Sequence, residues 1–242
     1  MAEPITSSGV EFAANGETGP GYLSRPQSNG WYPGIVLIQE WWGIDDHIKD
    51  VTNRFAGEGY AVLSPDLFHG EVTSEPSEAM KLIQGMDRDR ATKELNGAVA
   101  YLKGQPFCNG KVGIIGTCSG GRHSYLVVCR ISGFSAVVDC WGGGVIMPSD
   151  RLTPKQPVPP IEYTSDLSCP ILGLFGNDDQ NPSPEQVNQH EEELKKHGKT
   201  YEFHRYDGAG HGFWYYDRPA YRPEQAMDAW SKTFAFFGKY LA

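Results

Sequence analysis

Two periods of hydrophobic and polar residues alternate along the chain. Short continuous apolar runs, which are typical of strands buried on both faces, occur at residues 35–39, 60–63, 112–115, 135–139 and 171–175. Apolar residues spaced by three or four positions, which favour amphipathic helices, occur at residues 45–58, 75–103, 119–130 and 223–241. Ser183, Pro184 and Gln186 form a capping-box signature that predicts one more helix, ending at Gly198. Strands therefore alternate with helices, which predicts an α/β protein.

The N-terminal residues have an alternating pattern in place of a continuous apolar run. Residues 9–25 alternate between apolar and polar around Asn15-Gly16, a pair that favours a tight turn, and this predicts an N-terminal β-hairpin. Residues 200–206 alternate in the same way and predict a last strand. We expect one domain spanning residues 1–242, with a mostly parallel, doubly wound sheet in a three-layer αβα arrangement. The Pro-rich residues 145–163 are interpreted as a surface excursion.

The most informative stretch is KVGIIGTCSGG, residues 111–121. A strand stops at Gly116, Cys118 follows two positions later, and a helical pattern begins directly after it. The spacing G-x-C-x-G copies the G-x-S-x-G nucleophile elbow, with sulfur in place of oxygen. A cysteine at a helix N-terminus is favoured as thiolate, and the N–H of Ser119 is a candidate donor to an oxyanion. The alternatives are a phosphate-binding turn or a structural cysteine, although no Gly-Lys-Ser/Thr follows as a P-loop requires.

Two further candidates follow later strands. Asp179 lies four residues past the predicted strand at 171–175, and His211 lies between two glycines just after the strand at 200–206. Ligands of such sheets bind beyond the carboxyl ends of the strands, so these side chains are expected to meet Cys118. His211 can act as base and acid for the thiol, and Asp179 can orient the imidazole. The neighbouring Asp178 is interpreted as a turn residue.

Glu40 also ends a strand, beside two tryptophans. A carboxylate there is expected to be poorly hydrated, either as a charge that tunes the nucleophile or in a salt bridge at the rim. The N–H of Trp41 is the candidate second oxyanion donor.

Composition narrows the classes of function. The chain has 242 residues, 39% hydrophobic and 21% charged, and a formal net charge of −9. An acidic chain is a poor partner for nucleic acid or an anionic membrane, and neither is expected here. The five cysteines show no C-x-x-C spacing, and the histidines show no metal-ligand spacing, so neither disulfide framework nor metal site is expected. The N-terminal residues lack signal-peptide features and no apolar run is long enough to span a bilayer, so we expect a cytoplasmic protein.

Four blocks together resemble the dienelactone hydrolase (carboxymethylenebutenolidase) family: IVLIQEWWG, GYAVLSPDLFHG, KVGIIGTCSGG and GAGHGF, with weaker support from GNDDQNPSP. The resemblance runs from about Gly21 to the C-terminus. It implies an α/β-hydrolase fold whose chain order of nucleophile, acid and histidine is Cys118, Asp179, His211. It also implies that Glu40 contacts the resting thiol and takes its proton when substrate displaces the carboxylate. The implied reaction is hydrolysis of an ester or lactone through an acyl-enzyme, without metal or cofactor.

The sequence departs from that family at the arginines that bind a substrate carboxylate. Tyr215 occupies the place of one, four residues after His211, and no arginine lies between Phe68 and Met86 for the other. Arg218 is a candidate substitute, as are Arg88 and Arg90, and Trp141 and Trp214 predict an aromatic-lined substrate pocket that Tyr215 would join. The alternatives are a general carboxylesterase or thioesterase, a non-catalytic small-molecule receptor, and a cysteine-based peroxide sensor. The expected partner is a small ester or lactone, and a monomer or a weak homodimer is compatible with the sequence.

Overall fold

A computed structural model describes residues 4–14 and 16–242. Eight strands of the described chain form one sheet in the order β1-β2-β4-β3-β5-β6-β7-β8. The strands are β1 (Ile5–Ala14), β2 (Glu17–Pro26), β3 (Tyr32–Ile38), β4 (Ala61–Pro65), β5 (Cys108–Thr117), β6 (Ala136–Cys140), β7 (Ile171–Gly176) and β8 (Tyr201–Tyr206). From β4 to β8 all neighbours are parallel, whereas β1 and β2 pair antiparallel with each other and β2 pairs antiparallel with β4. The predicted mostly parallel sheet is confirmed.

Helices flank the sheet; the first five lie between successive strands, and the last follows β8. They are α1 (Asp46–Gly57), α2 (Pro76–Gly85), α3 (Arg88–Lys103), α4 (Ser119–Arg130), α5 (Pro184–Lys196) and α6 (Pro223–Leu241). The capping box at Ser183 and Gln186 is present at the start of α5. The helical pattern over residues 75–103 comprises two helices, because Asp87 accepts hydrogen bonds from the N–H groups of Asp89 and Arg90 and begins α3 anew.

The sheet is covered on both faces. Successive residues of β3 point to opposite sides: Ile35 and Leu37 belong to a buried cluster with α1 and α6, and Val36 and Ile38 belong to a second cluster with α3 and α4. A strand between two helical layers needs apolar side chains at every position, which explains the continuous runs in the sequence. The three-layer arrangement is confirmed. No helix of residues 4–14 and 16–242 is long and apolar enough to span a bilayer.

The N-terminal hairpin is longer than its pattern. Strand β1 begins at Ile5, before the predicted start at residue 9. Its first residues are mostly solvent-exposed, so they carry no apolar pattern that would predict a strand, whereas Phe12 and Leu23 of the hairpin are buried. Asn15 of the predicted turn lies outside the described residues; Gly16 has a φ of 82°, which glycine adopts readily.

The segment 145–163 is more than a surface excursion. It contains two short 3-10 helices, Ser149–Arg151 and the start of Pro160–Asp166. Gln156 is only 4% exposed and donates a hydrogen bond to the carbonyl of Ile83 in α2. These contacts attach the segment to the α2–α3 region beside the carboxyl end of β6.

Candidate active site

Cys118 lies in the sharp turn between β5 and α4. Its backbone has a φ of 55° and a ψ of −121°, a conformation that a residue with a side chain rarely adopts. A Cβ on Gly116 would lie 2.2 Å from the carbonyl carbon of Gly120, and a Cβ on Gly120 would lie 2.5 Å from the carbonyl oxygen of Ile38. Both glycines of G-x-C-x-G are therefore needed, because a side chain at either position would collide with the neighbouring backbone. Strain of this kind is concentrated at functional sites.

His211 and Asp179 meet at the same edge of the sheet. His211 Nδ1 donates a hydrogen bond to Asp179 Oδ2 at 2.8 Å. The other Asp179 oxygen accepts a 2.8 Å hydrogen bond from the N–H of Asn181, and the side chain is 4% exposed. Asp178 is exposed and its N–H bonds to the carbonyl of Ala209, as expected for a turn residue. With Nδ1 engaged by Asp179, the imidazole has Nε2 free for the nucleophile.

The electrostatics of His211 reflect two neighbours. Burial alone lowers the pKa of the imidazole, but its hydrogen bond with Asp179 and its interaction with the adjacent Cys118 side chain outweigh burial and raise the pKa to about 10. The His211 side chain keeps 37% exposure, so the reaction centre is open to a small molecule. A raised pKa favours the protonated imidazole, which stabilises a thiolate beside it.

Glu40 is buried just beyond β3, with 3% exposure. Its Oε1 accepts a 2.7 Å hydrogen bond from the Tyr215 hydroxyl, and its Oε2 pairs with Arg218 at 3.1 Å. Within residues 4–14 and 16–242 no hydrogen bond joins Glu40 to Cys118. Both carboxylate oxygens are instead held by two residues that follow His211 in the chain, and the expected contact with the resting thiol stays a prediction.

The two candidate oxyanion donors belong to two segments that touch each other, the loop after β3 and the start of α4. Ser119 is the first residue of α4, so its N–H has no acceptor one turn earlier in the helix. Trp41 follows the backbone of Ile38 and Gln39, against which Gly120 packs, and its ring lies 4.8 Å from that of Trp42. The loop after β3 and the start of α4 are thus in contact beside Cys118.

The aromatic candidates lie behind the reaction centre. Trp141, Trp214 and Tyr215 are 0%, 3% and 1% exposed, and all three belong to a buried cluster. The Trp141 ring packs edge-on against His211 at 6.4 Å and against Trp214 at 5.1 Å. Trp141 thus supports the imidazole from the core side, and contact of the three side chains with a substrate stays a prediction. Arg218 is occupied by Glu40 and by the Tyr215 ring, 4.2 Å from its guanidinium carbon.

The sequence analysis missed one charged residue beside the nucleophile. Arg122 lies one turn along α4 from Cys118, and it interacts electrostatically with the Cys118 side chain. Its Nη1 donates a hydrogen bond to the carbonyl of Gly143 at 3.4 Å. The available signal was the i, i+4 spacing from the cysteine, which places both residues on one face of a helix.

Known proteins share this fold over nearly the whole chain. Residues 20–241 match the model of the dienelactone hydrolase family. A protein named putative carboxymethylenebutenolidase from Methylorubrum extorquens is 34% identical over 91% of this chain and 77% of the relative. A probable 2-oxo-3-(5-oxofuran-2-ylidene)propanoate lactonase from Bradyrhizobium is 29% identical over 99% of this chain and 96% of the relative. The crystal structure of a putative dienelactone hydrolase from Klebsiella pneumoniae is 26% identical, covers 98% of this chain and 100% of its own, and superposes with a TM-score of 0.90.

These matches confirm the α/β-hydrolase fold that the sequence blocks predicted. The family match covers the elbow, the residues after β7 and β8, and the loop after β3 together. The chain belongs to the dienelactone hydrolase family, whose members are hydrolases of ester or lactone bonds.

Proposed function

We propose that this protein is a cysteine hydrolase that cleaves an ester or lactone through a thioester on Cys118. The observation that carries the proposal is the elbow cysteine beside an imidazole whose other nitrogen bonds to a buried aspartate at 2.8 Å. A nucleophile, a base and an orienting acid within reach of one another are what acyl transfer requires.

In the first half-reaction the Cys118 thiolate attacks the substrate carbonyl. The N–H groups of Ser119 and Trp41 stabilise the oxyanion, and loss of one such donor typically lowers the rate about 100- to 1000-fold. Protonated His211 then gives its proton to the leaving alkoxide as the carbon–oxygen bond breaks. The raised pKa of His211 supports this step, because the proton is already on the imidazole when the thiolate attacks.

In the second half-reaction neutral His211 takes a proton from water, which attacks the thioester. The tetrahedral intermediate expels the Cys118 thiolate, and the carboxylic acid product leaves. Asp179 stabilises the imidazolium in both steps. Glu40 acts on the site through Tyr215 and Arg218, whose positions it holds.

The test is hydrolysis of 4-nitrophenyl acetate and of a dienelactone by the parent and by Cys118→Ala and His211→Ala. We expect each variant to lose at least about 1000-fold in kcat, as removal of a triad member typically does. Intact-mass measurement during turnover should show the parent carrying one acyl group that hydroxylamine removes. Full activity in either variant contradicts the proposed triad.

Cys129→Ala is the matched control, since Cys129 is a buried cysteine on the same helix with no role in the mechanism. A dienelactone rate far above the aryl-ester rate identifies a lactonase, and the reverse identifies a general carboxylesterase. A non-catalytic receptor would bind these compounds without producing nitrophenol.

A further inference from the structure

The chain at the end of β6 contacts the segments that carry all three proposed catalytic residues. We call residues 139–144, DCWGGG, the β6 turn. The carbonyl of Cys140 accepts a hydrogen bond from the N–H of Cys118 at 3.0 Å, which attaches the backbone of the nucleophile to this turn. The Trp141 ring packs edge-on against His211, with 6.4 Å between the ring centres. The turn therefore touches both the nucleophile and the base.

The acid is reached through Gly143. A Cβ on Gly143 would lie 2.6 Å from the carbonyl oxygen of Asn181, so the turn and the loop after β7 meet with no room for a side chain. The N–H of Asn181 donates to Asp179 Oδ1 at 2.8 Å. A shift of the β6 turn would therefore displace the support of the carboxylate that orients the imidazole.

The backbone of the β6 turn is strained. Trp141 has a φ of 42°, in the left-handed region that residues with a bulky side chain rarely adopt. Its N–H donates to the carbonyl of Leu174 in β7 at 2.9 Å. Such a conformation persists only where the surrounding contacts hold it, so the turn needs a group that keeps it closed.

The Asp139 carboxyl is that group. Its Oδ1 accepts a hydrogen bond from the N–H of Gly142 at 2.8 Å, which closes the chain across Trp141. A Cβ on Gly121 of α4 would overlap the same oxygen, so the carboxyl fills the space between the elbow helix and the turn. Asp139 is 0% exposed, and within residues 4–14 and 16–242 its Oδ2 has no hydrogen-bond partner. A buried carboxyl that is only half satisfied lowers stability, so stability alone does not explain its position.

We propose that Asp139 is a positioning residue, which aligns the imidazole with the nucleophile by closing the β6 turn. The closed turn keeps Trp141 against His211 and keeps the loop that carries the acid in place. The inference rests on the proposed function, in which Cys118 is the nucleophile and His211 is the base. Asp139 takes no chemical step itself and acts through the turn.

The test measures how fast iodoacetamide alkylates Cys118 at pH 6, followed by peptide mass, in the parent, Asp139→Ala and Asp139→Asn. An ordinary thiol, with a pKa of about 8.5, is almost fully protonated at pH 6, so rapid alkylation reports a thiolate paired with protonated His211. Burial raises the pKa of Asp139 to about 7, so asparagine reproduces the charge of the side chain at pH 6 as well as its shape.

We expect Asp139→Ala to lower both the alkylation rate and kcat/KM for 4-nitrophenyl acetate at least about tenfold, since a misplacement of about 1 Å can cost about 100-fold. Asp139→Asn, which still accepts from Gly142, should stay within about threefold of the parent in both measurements. An unchanged alkylation rate in Asp139→Ala, or an equal fall in Asp139→Asn, contradicts the inference.

Leu102→Ala is the control for a loss of stability. Leu102 is 0% exposed, but it belongs to the buried cluster on the opposite face of the sheet from Trp141. This variant should lose stability through the cavity it creates and keep the alkylation rate of the parent. A fall equal to that of Asp139→Ala means that Asp139 acts on the site only through stability.

Gly143→Ala tests the turn while Asp139 stays in place. Its Cβ would press on Asn181, and we expect the alkylation rate and kcat/KM to fall about tenfold. The matched control is Gly238→Ala, because a Cβ on Gly238 in α6 meets nothing within 4 Å. This pair carries the test if Asp139→Ala does not fold, and equal rates in the two glycine variants contradict the inference.

Turnover separates this inference from the proposed function. If Cys118→Ala keeps full turnover of 4-nitrophenyl acetate, the proposed nucleophile is wrong, and the alkylation rates of Cys118 still decide whether Asp139 aligns the thiol and the imidazole. If Cys118→Ala is inactive while Asp139→Ala matches the parent in both measurements, the proposed function stands and the positioning role of Asp139 is wrong.

Discussion

The nucleophile lies between two charged regions that differ in how their charges are balanced. On the β3 side, both oxygens of Glu40 are satisfied by Tyr215 and Arg218. On the β6 side, Arg122 has no carboxylate partner among the described residues, and one oxygen of buried Asp139 has no hydrogen-bond partner there. We call these the Glu40 region and the Arg122 region, and β5, which leads into Cys118, separates them in the sheet.

The difference is one of pairing: the charges of the Glu40 region are satisfied within the chain, and polar atoms of the Arg122 region are left without a partner. A buried charge pair is broken at considerable cost once it has formed, so the Glu40 region is held in one arrangement. A buried polar group without a partner instead lowers the stability of the folded protein.

The largest expected effect concerns Asp139 in the Arg122 region. Burial raises the pKa of this carboxyl to about 7, and the 2.8 Å hydrogen bond from the N–H of Gly142 offsets only part of that effect. In the unfolded chain the same carboxyl has the usual aspartate pKa of 3.8, so stability falls as the pH rises from about 4 to about 7 and then levels off. Between pH 5 and pH 8 this amounts to about 2–3 kcal/mol, at about 1.4 kcal/mol per pH unit.

The measurement is urea unfolding of the parent and Asp139→Asn at both pH values. Asn has a similar shape and can still accept from Gly142, so the variant should lack this part of the pH dependence. An equal loss of stability in both proteins means that Asp139 does not titrate in this range.

The second test compares the two arginines directly. Arg218→Gln should destabilise the protein by about 2 kcal/mol, because Glu40 stays buried with one partner fewer; the 32% exposure of Arg218 keeps the effect below that of a fully buried pair. Arg122→Gln should change the free energy of unfolding by less than about 1 kcal/mol, since no carboxylate loses a partner. Urea denaturation of both variants measures the two changes in the free energy of unfolding. Equal destabilisation removes the distinction between the regions.

The smallest effect is expected at Tyr215. Tyr215→Phe removes the hydroxyl that donates to Glu40 Oε1 at 2.7 Å and should cost about 1 kcal/mol, with Arg218 still in place. The neighbouring Tyr216 is 63% exposed, and Tyr216→Phe should stay within about 0.5 kcal/mol of the parent. Thermal and urea unfolding of the two variants provide the comparison. No difference between them contradicts a structural role for the Tyr215 hydroxyl.

Some parts of the site were accessible from local pattern. The G-x-C-x-G spacing indicated the elbow because backbone crowding at Gly116 and Gly120 admits no side chain, and that constraint is local. Asp179 was preferred to Asp178, and the structure buries Asp179 beside His211 while it leaves Asp178 exposed. The position of Asp179 and His211 after parallel strands predicted that they lie near Cys118, because the sheet collects its carboxyl ends at one edge.

Other parts were not accessible. Trp141, expected near a substrate pocket, is fully buried behind His211, because a large aromatic after a strand can face either the cleft or the core and local sequence does not distinguish them. The environment of Glu40 was equally undetermined: its partner Arg218 is 178 positions away, and only the folded chain brings the two charges to 3.1 Å.

The sequence by itself determined the alternation of strands and helices, the strained turn at Cys118 and the polar residues that follow each strand. These depend on side-chain period and on backbone sterics within a few residues. The tertiary structure alone decided which charges are neutralised and which are left unpaired. Charge pairing depends on distances of a few ångströms between side chains from remote segments, and those distances exist only after the sheet and its loops have packed.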